Sequence, residues 1–155
     1  GPVGGPYYAY IRIPELMRNS QNLRACLNVG PLSGRERQII NLVVARHWNA
    51  KYPWFAQARN ALAVDLDRKI VDAINTNETP QLGDPREQAV YAVASELLVD
   101  QKLSDATYAS TEEVLGLEHL VAAVAHVGQF AMTCCTANAF EIDPPADALI
   151  PLADI

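Results

Sequence analysis

The chain has 155 residues, half of them hydrophobic and 19% charged, which suits one globular domain, residues 1–155, long enough to bury a core. Its net charge of −6 gives no basic footprint for nucleic acid or an anionic membrane, so any anionic small molecule must be held by a local cluster of arginines. No apolar run is expected to reach the roughly 20 residues of a bilayer-spanning helix, and no charged-then-apolar signal peptide is expected at its start. The three cysteines, Cys26, Cys134 and Cys135, are too few for a disulfide framework, so a reducing cytoplasm is the expected location.

Residues 1–13, rich in Gly, Pro and Tyr, read as an extended arm. Pro14 fits the first position of a helix to about Leu27, which Pro31-Leu32 ends. Ser33 with Glu36 three residues on forms a capping box and opens a second helix, whose stripe Ile39, Leu42, Val43 ends in the cation Arg46. Asn49 to Tyr52 reads as a turn. Pro53 is placed to begin a third helix through about Val64, with Trp54, Ala58, Ala61 and Leu62 inward and Gln57 beside them.

Asp67 caps a short helix holding Ile70, Val71 and Ile74, and a polar loop runs from Asn75 to Gly83. Asp84-Pro85 with Glu87 starts a long helix with Val90, Val93, Ala94, Leu97 and Leu98 at helical spacing. Ser104 caps another, which Gly116 ends. The last helix, about Leu117 to Phe140, is apolar nearly all round, which predicts burial on several sides, including a subunit interface. Asp143-Pro144-Pro145 stops it, and residues 141–155 read as an irregular tail. With no alternating strand pattern, no internal repeat and no linker, the fold class is all-α, with six to seven helices.

Four stretches in order resemble the carboxymuconolactone decarboxylase family, which also contains the AhpD-type alkylhydroperoxidases. They are Gly5-Pro6 with Tyr10-Ile11-Arg12-Ile13-Pro14-Glu15-Leu16; Leu32-Ser33-Gly34-Arg35-Glu36-Arg37; Val44-Ala45-Arg46-His47-Trp48 with Tyr52-Pro53-Trp54-Phe55-Ala56-Gln57-Ala58-Arg59; and Glu118 to Phe140. The resemblance implies an AhpD-like helical bundle, native Gly5-Pro6, assembly into trimers or hexamers, and cofactor-independent acid–base chemistry on a small carboxylic acid or lactone. The sequence also departs from the family. Where decarboxylase members place Glu and His around the turn, this chain has Pro53 and Gln57, and the peroxidase branch's Cys-x-x-Cys is absent.

Gln57 can orient a substrate but cannot carry a proton near neutral pH. The proton carrier must therefore lie elsewhere, and His126 is the first candidate. His119, His126 and Thr133 recur every seven residues, with Gln129 near the same face, as a polar stripe on the last helix. The alternative for both histidines is a hydrogen-bonded core or interface residue. They stand about 10 Å apart along the helix, too far to share a metal, so no metal site is expected.

Arg46 is placed to dock a carboxylate, or else to compensate its helix C-terminus or pair with Glu. His47 shares the helix-end explanation. Tyr52 and Trp54 either flank the pocket, as the resemblance implies, or fill the core, and Arg59 either faces the site or solvent. Arg12 could reach a neighbouring subunit or stand exposed. Cys134-Cys135, about 100° apart on a helix, reads as two small buried hydrophobes rather than a disulfide. The expected activity is a lyase or decarboxylase in which Arg46 anchors the acid, Gln57 orients it and His126 transfers the proton. The rival reading is a small-ligand-binding or interaction protein, and a thiol peroxidase comes third.

Overall fold

A computed structural model describes residues 5–155; the first four residues of the expected arm lie outside the described part. Among the described residues there are eight helices and no strand: α1 (Tyr7–Tyr10), α2 (Pro14–Asn28), α3 (Gly34–His47), α4 (Lys51–Ala63), α5 (Arg68–Asn75), α6 (Pro85–Asp100), α7 (Asp105–Leu115) and α8 (Leu117–Ala139). The central element is α3, which packs against α4, α5, α6 and α8. Its Ile39, Ile40, Leu42 and Val44 are wholly buried, and they share one core with Trp54, Val71, Val90, Val93 and Cys134.

The start signals act as the sequence predicts. The Ser33 hydroxyl accepts from the Glu36 amide at 3.0 Å, and the Glu36 carboxylate accepts from the Ser33 amide at 2.9 Å, completing a capping box. Asp67, Asp84 and Ser104 each accept a backbone N–H at the start of α5, α6 and α7. Two ion pairs then tie the start of α6 to the start of α3. Arg35 grips Glu87 at 2.9 and 3.1 Å, and Arg86 grips Glu36 at 2.9 Å. Burial pushes the Glu36 carboxyl up, but the Arg86 and Ser33 hydrogen bonds outweigh it and hold the group below its ordinary range.

Three expectations need correction, and that for the tail is borne out and extended. The arm is not extended where described: Gly5, at φ +61, turns the chain into α1, and a Cβ there would lie 2.6 Å from Tyr52 Cε1. Helix α4 begins at Lys51, two residues before Pro53, which is tolerated because the first-turn N–H groups have no intrahelical partner. The tail lacks regular structure but is docked: Ile150 is buried, and Trp54 Nε1 donates to its carbonyl at 3.0 Å. Finally, α8 is by length and composition apolar enough to cross a bilayer, with a mean hydropathy of 1.5. In this fold it is a core helix on one side only. Leu120, Ala123, His126, Val127, Phe130, Cys134 and Ala137 are buried, whereas Val121, Val124 and Met132 are exposed.

Five helices are followed at once by a non-glycine residue with positive φ: Asn49, Asp65, Asn77, Gln101 and Glu141. Asn and Asp adopt this conformation at small cost, whereas Gln101 and Glu141 need the surrounding structure to hold them.

Candidate functional site

A cavity of about 450 Å³ opens where α1 and α2 meet α3, α4 and the middle of α8. Each long helix contributes residues three and four apart, so that each presents one face. From α4 come Pro53, Ala56, Gln57 and Asn60; from α8, His126, Gln129, Phe130 and Thr133; from α3, Arg37, Gln38 and Asn41. The mouth is finished by Tyr7, Tyr10, Arg24 and Asn28, with Tyr52 and Arg59 on the α4 side. The Tyr10 hydroxyl lies 2.6 Å from Thr136 Oγ1, which fastens α1 to α8 and holds this wall.

The lining is cationic inside an acidic protein. It contains Arg24, Arg37 and Arg59 and no Asp or Glu. Among the described residues none of these three pairs with a carboxylate, since the ion pairs use Arg18, Arg35, Arg68 and Arg86. Arg37 donates to the Leu32 carbonyl at 2.5 Å, while Arg24 and Arg59 rest over the Tyr7 and Phe55 rings. Arg24 also donates to the Tyr7 hydroxyl at 3.3 Å, and each of the three uses at most one N–H, leaving the others for a ligand.

His126 is buried, with Nε2 lying 3.3 Å from the Leu27 carbonyl. A carbonyl can only accept, so Nε2 carries the proton and Nδ1 keeps its lone pair. Burial lowers the imidazole pKa; the Leu27 hydrogen bond raises it by less, and the Arg37 charge lowers it further. His126 is thus neutral at neutral pH. Next to it on the wall, Gln57 is buried, and its Oε1 accepts from Asn41 Nδ2 at 3.1 Å.

The expected site residues divide into two groups. Gln57, Tyr52, Arg59 and His126 line one cavity. Arg46, His47 and Trp54 do not. Arg46 lies at the far end of α3, where its guanidinium donates to the Asn75 carbonyl at 3.0 Å, the Ala153 carbonyl at 2.8 Å and Asn49 Oδ1 at 2.6 Å. There it clasps the tail, away from this cavity and on the wall of a separate depression. His47 is exposed beside it, bordering that depression, and Trp54 is wholly inside the core. His119 is drawn into the ion-pair network, where Nδ1 accepts from Arg86 at 3.0 Å. Arg12 is exposed. Of the two cysteines expected to be buried, Cys134 is, and that burial raises its thiol pKa, so it is held as the thiol, whereas Cys135 is exposed.

Sequence reading did not find Arg24, Arg37, Gln38, Asn41 and Asn60. A signal for four of them was present. Asn41 follows Arg37 by four residues and Gln38 by three, and Asn60 follows Gln57 by three, so polar pairs interrupt two otherwise apolar helices at helical spacing.

No protein-family model matches the chain, and no curated protein does. Solved structures do match in shape. A peroxidase-related protein from Silicibacter sp. TM1040 superposes with a TM-score of 0.78 at 20% identity, covering 92% of this chain and 76% of that one. A second, an alkylhydroperoxidase AhpD core, peroxidase-related protein from Ralstonia eutropha JMP134, gives a TM-score of 0.76 at 17% identity, covering 92% of this chain and 80% of that one. At such identities the likeness concerns architecture alone, and what it establishes is that this chain has the AhpD-like all-α fold.

Proposed function

We propose that the protein acts on a small carboxylic acid or lactone in this cavity as a cofactor-independent lyase or decarboxylase. The observation that carries the reading is the convergence of three unpaired arginines and a neutral, buried histidine on one cavity without a carboxylate. The anchoring role expected of Arg46 passes to Arg37 and Arg59, whose donors are free to grip an acid. Gln57, tethered by Asn41, orients the bound molecule.

Breaking the bond from carbon to a carboxylate releases carbon dioxide and leaves the electron pair on carbon, which must then be protonated. His126 takes a proton at Nδ1 from the substrate or water and returns it to that carbon. Burial and the Arg37 charge both disfavour the imidazolium, so the proton is readily given up.

The test is His126→Gln. Gln can still donate to the Leu27 carbonyl, so the fold should stand. Turnover of cyclic acids and lactones, followed as carbon dioxide release or lactone loss, should be abolished with the thermal unfolding midpoint unchanged. Undiminished turnover in the variant would discard the role of His126.

A second reading, a binding protein that has lost catalysis, is favoured by Pro53 and Gln57 standing where the resembling decarboxylases carry titratable groups. Binding of the same acids by calorimetry without turnover would select it. Thiol peroxidase has least support, because there is no Cys-x-x-Cys and Cys134 is kept from the reactive thiolate form.

The trimer or hexamer belongs to the same proposal. No residue of α2 is buried, and α8 leaves Val121 60% exposed beside Val124 and Met132, an apolar strip that a second copy would cover. Light scattering should give a multiple of the 16.9 kDa chain mass, and a monomer at micromolar concentration would refute it.

A further inference from the structure

We infer that the ligand is a hydroxylated carboxylate, a small ring acid bearing at least one hydroxyl that seats against the amide edge made by Gln38 and Asn41. This rests on the carboxylate reading of the cavity and adds the chemistry of the rest of the molecule.

Gln38 Oε1 and Asn41 Oδ1 are both buried and have no hydrogen-bond donor. Both residues line the cavity. A buried acceptor without a partner is unfavourable, and a folded protein rarely keeps two within one helical turn unless something else completes them. Nothing in the lining does so. Asn41 spends its own nitrogen on Gln57, and that link fixes where its oxygen sits. The guanidinium groups of the lining suit an anion and leave these oxygens unserved.

A plain hydrocarbon acid would satisfy the arginines and press its ring against two unpaired oxygens. A hydroxyl would complete them after a small rotation of the Gln38 amide, which no side-chain hydrogen bond holds. Because a hydroxyl both donates and accepts, it pairs with Gln38 in either orientation of that amide. The spacing fits as well. Arg37 and Asn41 are one turn apart on α3, about 6 Å along the axis, a separation that a six-membered ring spans from a carboxylate to a hydroxyl. Six side-chain amides line the cavity (Asn28, Gln38, Asn41, Gln57, Asn60 and Gln129), which suits a polar molecule better than an apolar one.

Calorimetric titration of the full chain with benzoate, meta-hydroxybenzoate and para-hydroxybenzoate tests the inference. At least one hydroxybenzoate should bind about tenfold tighter than benzoate, the worth of one well-made hydrogen bond to a buried group. Gln38→Met, which disturbs no other hydrogen bond, should reduce that advantage while leaving benzoate affinity within about twofold, with thermal unfolding read alongside to confirm folding. Equal binding of all three acids would overturn the hydroxyl inference and leave the carboxylate reading intact. Retention of the full preference in Gln38→Met would overturn the assignment to this edge. Binding of none of the acids would overturn both.

Discussion

The two ends of α3 each carry an arginine from the same apolar-faced helix, and the fold uses them in opposite ways. Arg46 is buried, and three acceptors from Asn49, Asn75 and the tail take donors of its two terminal nitrogens, with only the buried Nε left unmatched. Arg37, nine residues earlier, has one acceptor and otherwise faces a cavity. Neither has a carboxylate partner. What separates them is whether the main chain of a distant segment arrives to complete the guanidinium. Where the tail does, the cation becomes a structural clasp. Where no segment does, its donors remain available to a ligand. An unpaired arginine on a sequence is therefore ambiguous until the long-range carbonyls are counted.

Substitutions at the two ends should break this contrast cleanly. Arg46→Met leaves the carbonyls of Asn75 and Ala153 without a donor, so stability should drop by about 3 kcal/mol in chemical denaturation, from the unpaired groups alone. Acid binding by the folded variant should be unaffected. Arg37→Gln should do the reverse, weakening acid binding by about tenfold, as expected for loss of a charge-assisted hydrogen bond, with stability changed by no more than about 0.5 kcal/mol. If Arg46→Met instead removed binding and left stability alone, the assignment of roles would be exchanged.

The smallest effect concerns pH. Burial sets the His126 pKa in the folded state below its ordinary value of about 6.5, so over the window between the two the unfolded chain holds the proton more readily. His126 therefore supports stability in full above about pH 6.5, and that support is lost as the pH falls through the window. The denaturation midpoint of the native chain should decline on this acid limb more steeply than that of His126→Gln. Identical slopes would mean that the imidazole is not held neutral by burial.

Most helix boundaries were legible because their causes are local. The Ser33–Glu36 capping box, Asp67, Asp84-Pro85 and Ser104 each act within a few residues of the chain. The C-terminal ends were less legible, since five of them turn on non-glycine residues in the left-handed region, which only context stabilises. The helical turn of α1 was hidden for a related reason. It depends on Gly5 passing against the Tyr52 ring, a contact between positions 47 residues apart.

The site was legible in part. His126 and Gln57 stand out as polar interruptions of apolar helices, and that signal survives folding because it is a matter of periodicity. Trp54 was not separable in this way from Tyr52, two residues before it on the same turn. Which of the two meets the core and which the cavity follows from the rotation of α4 about its axis, and that is set by packing against α3.

The chain by itself determined that it would be helical, where most helices start, and that only clustered arginines could hold an anion in so acidic a protein, because caps, spacing and net charge are local or additive quantities. Only the tertiary structure decided which arginines remain unpaired, which histidine is neutral and which amides go unsatisfied. Those properties depend on the groups that distant segments bring, or fail to bring, within hydrogen-bonding distance.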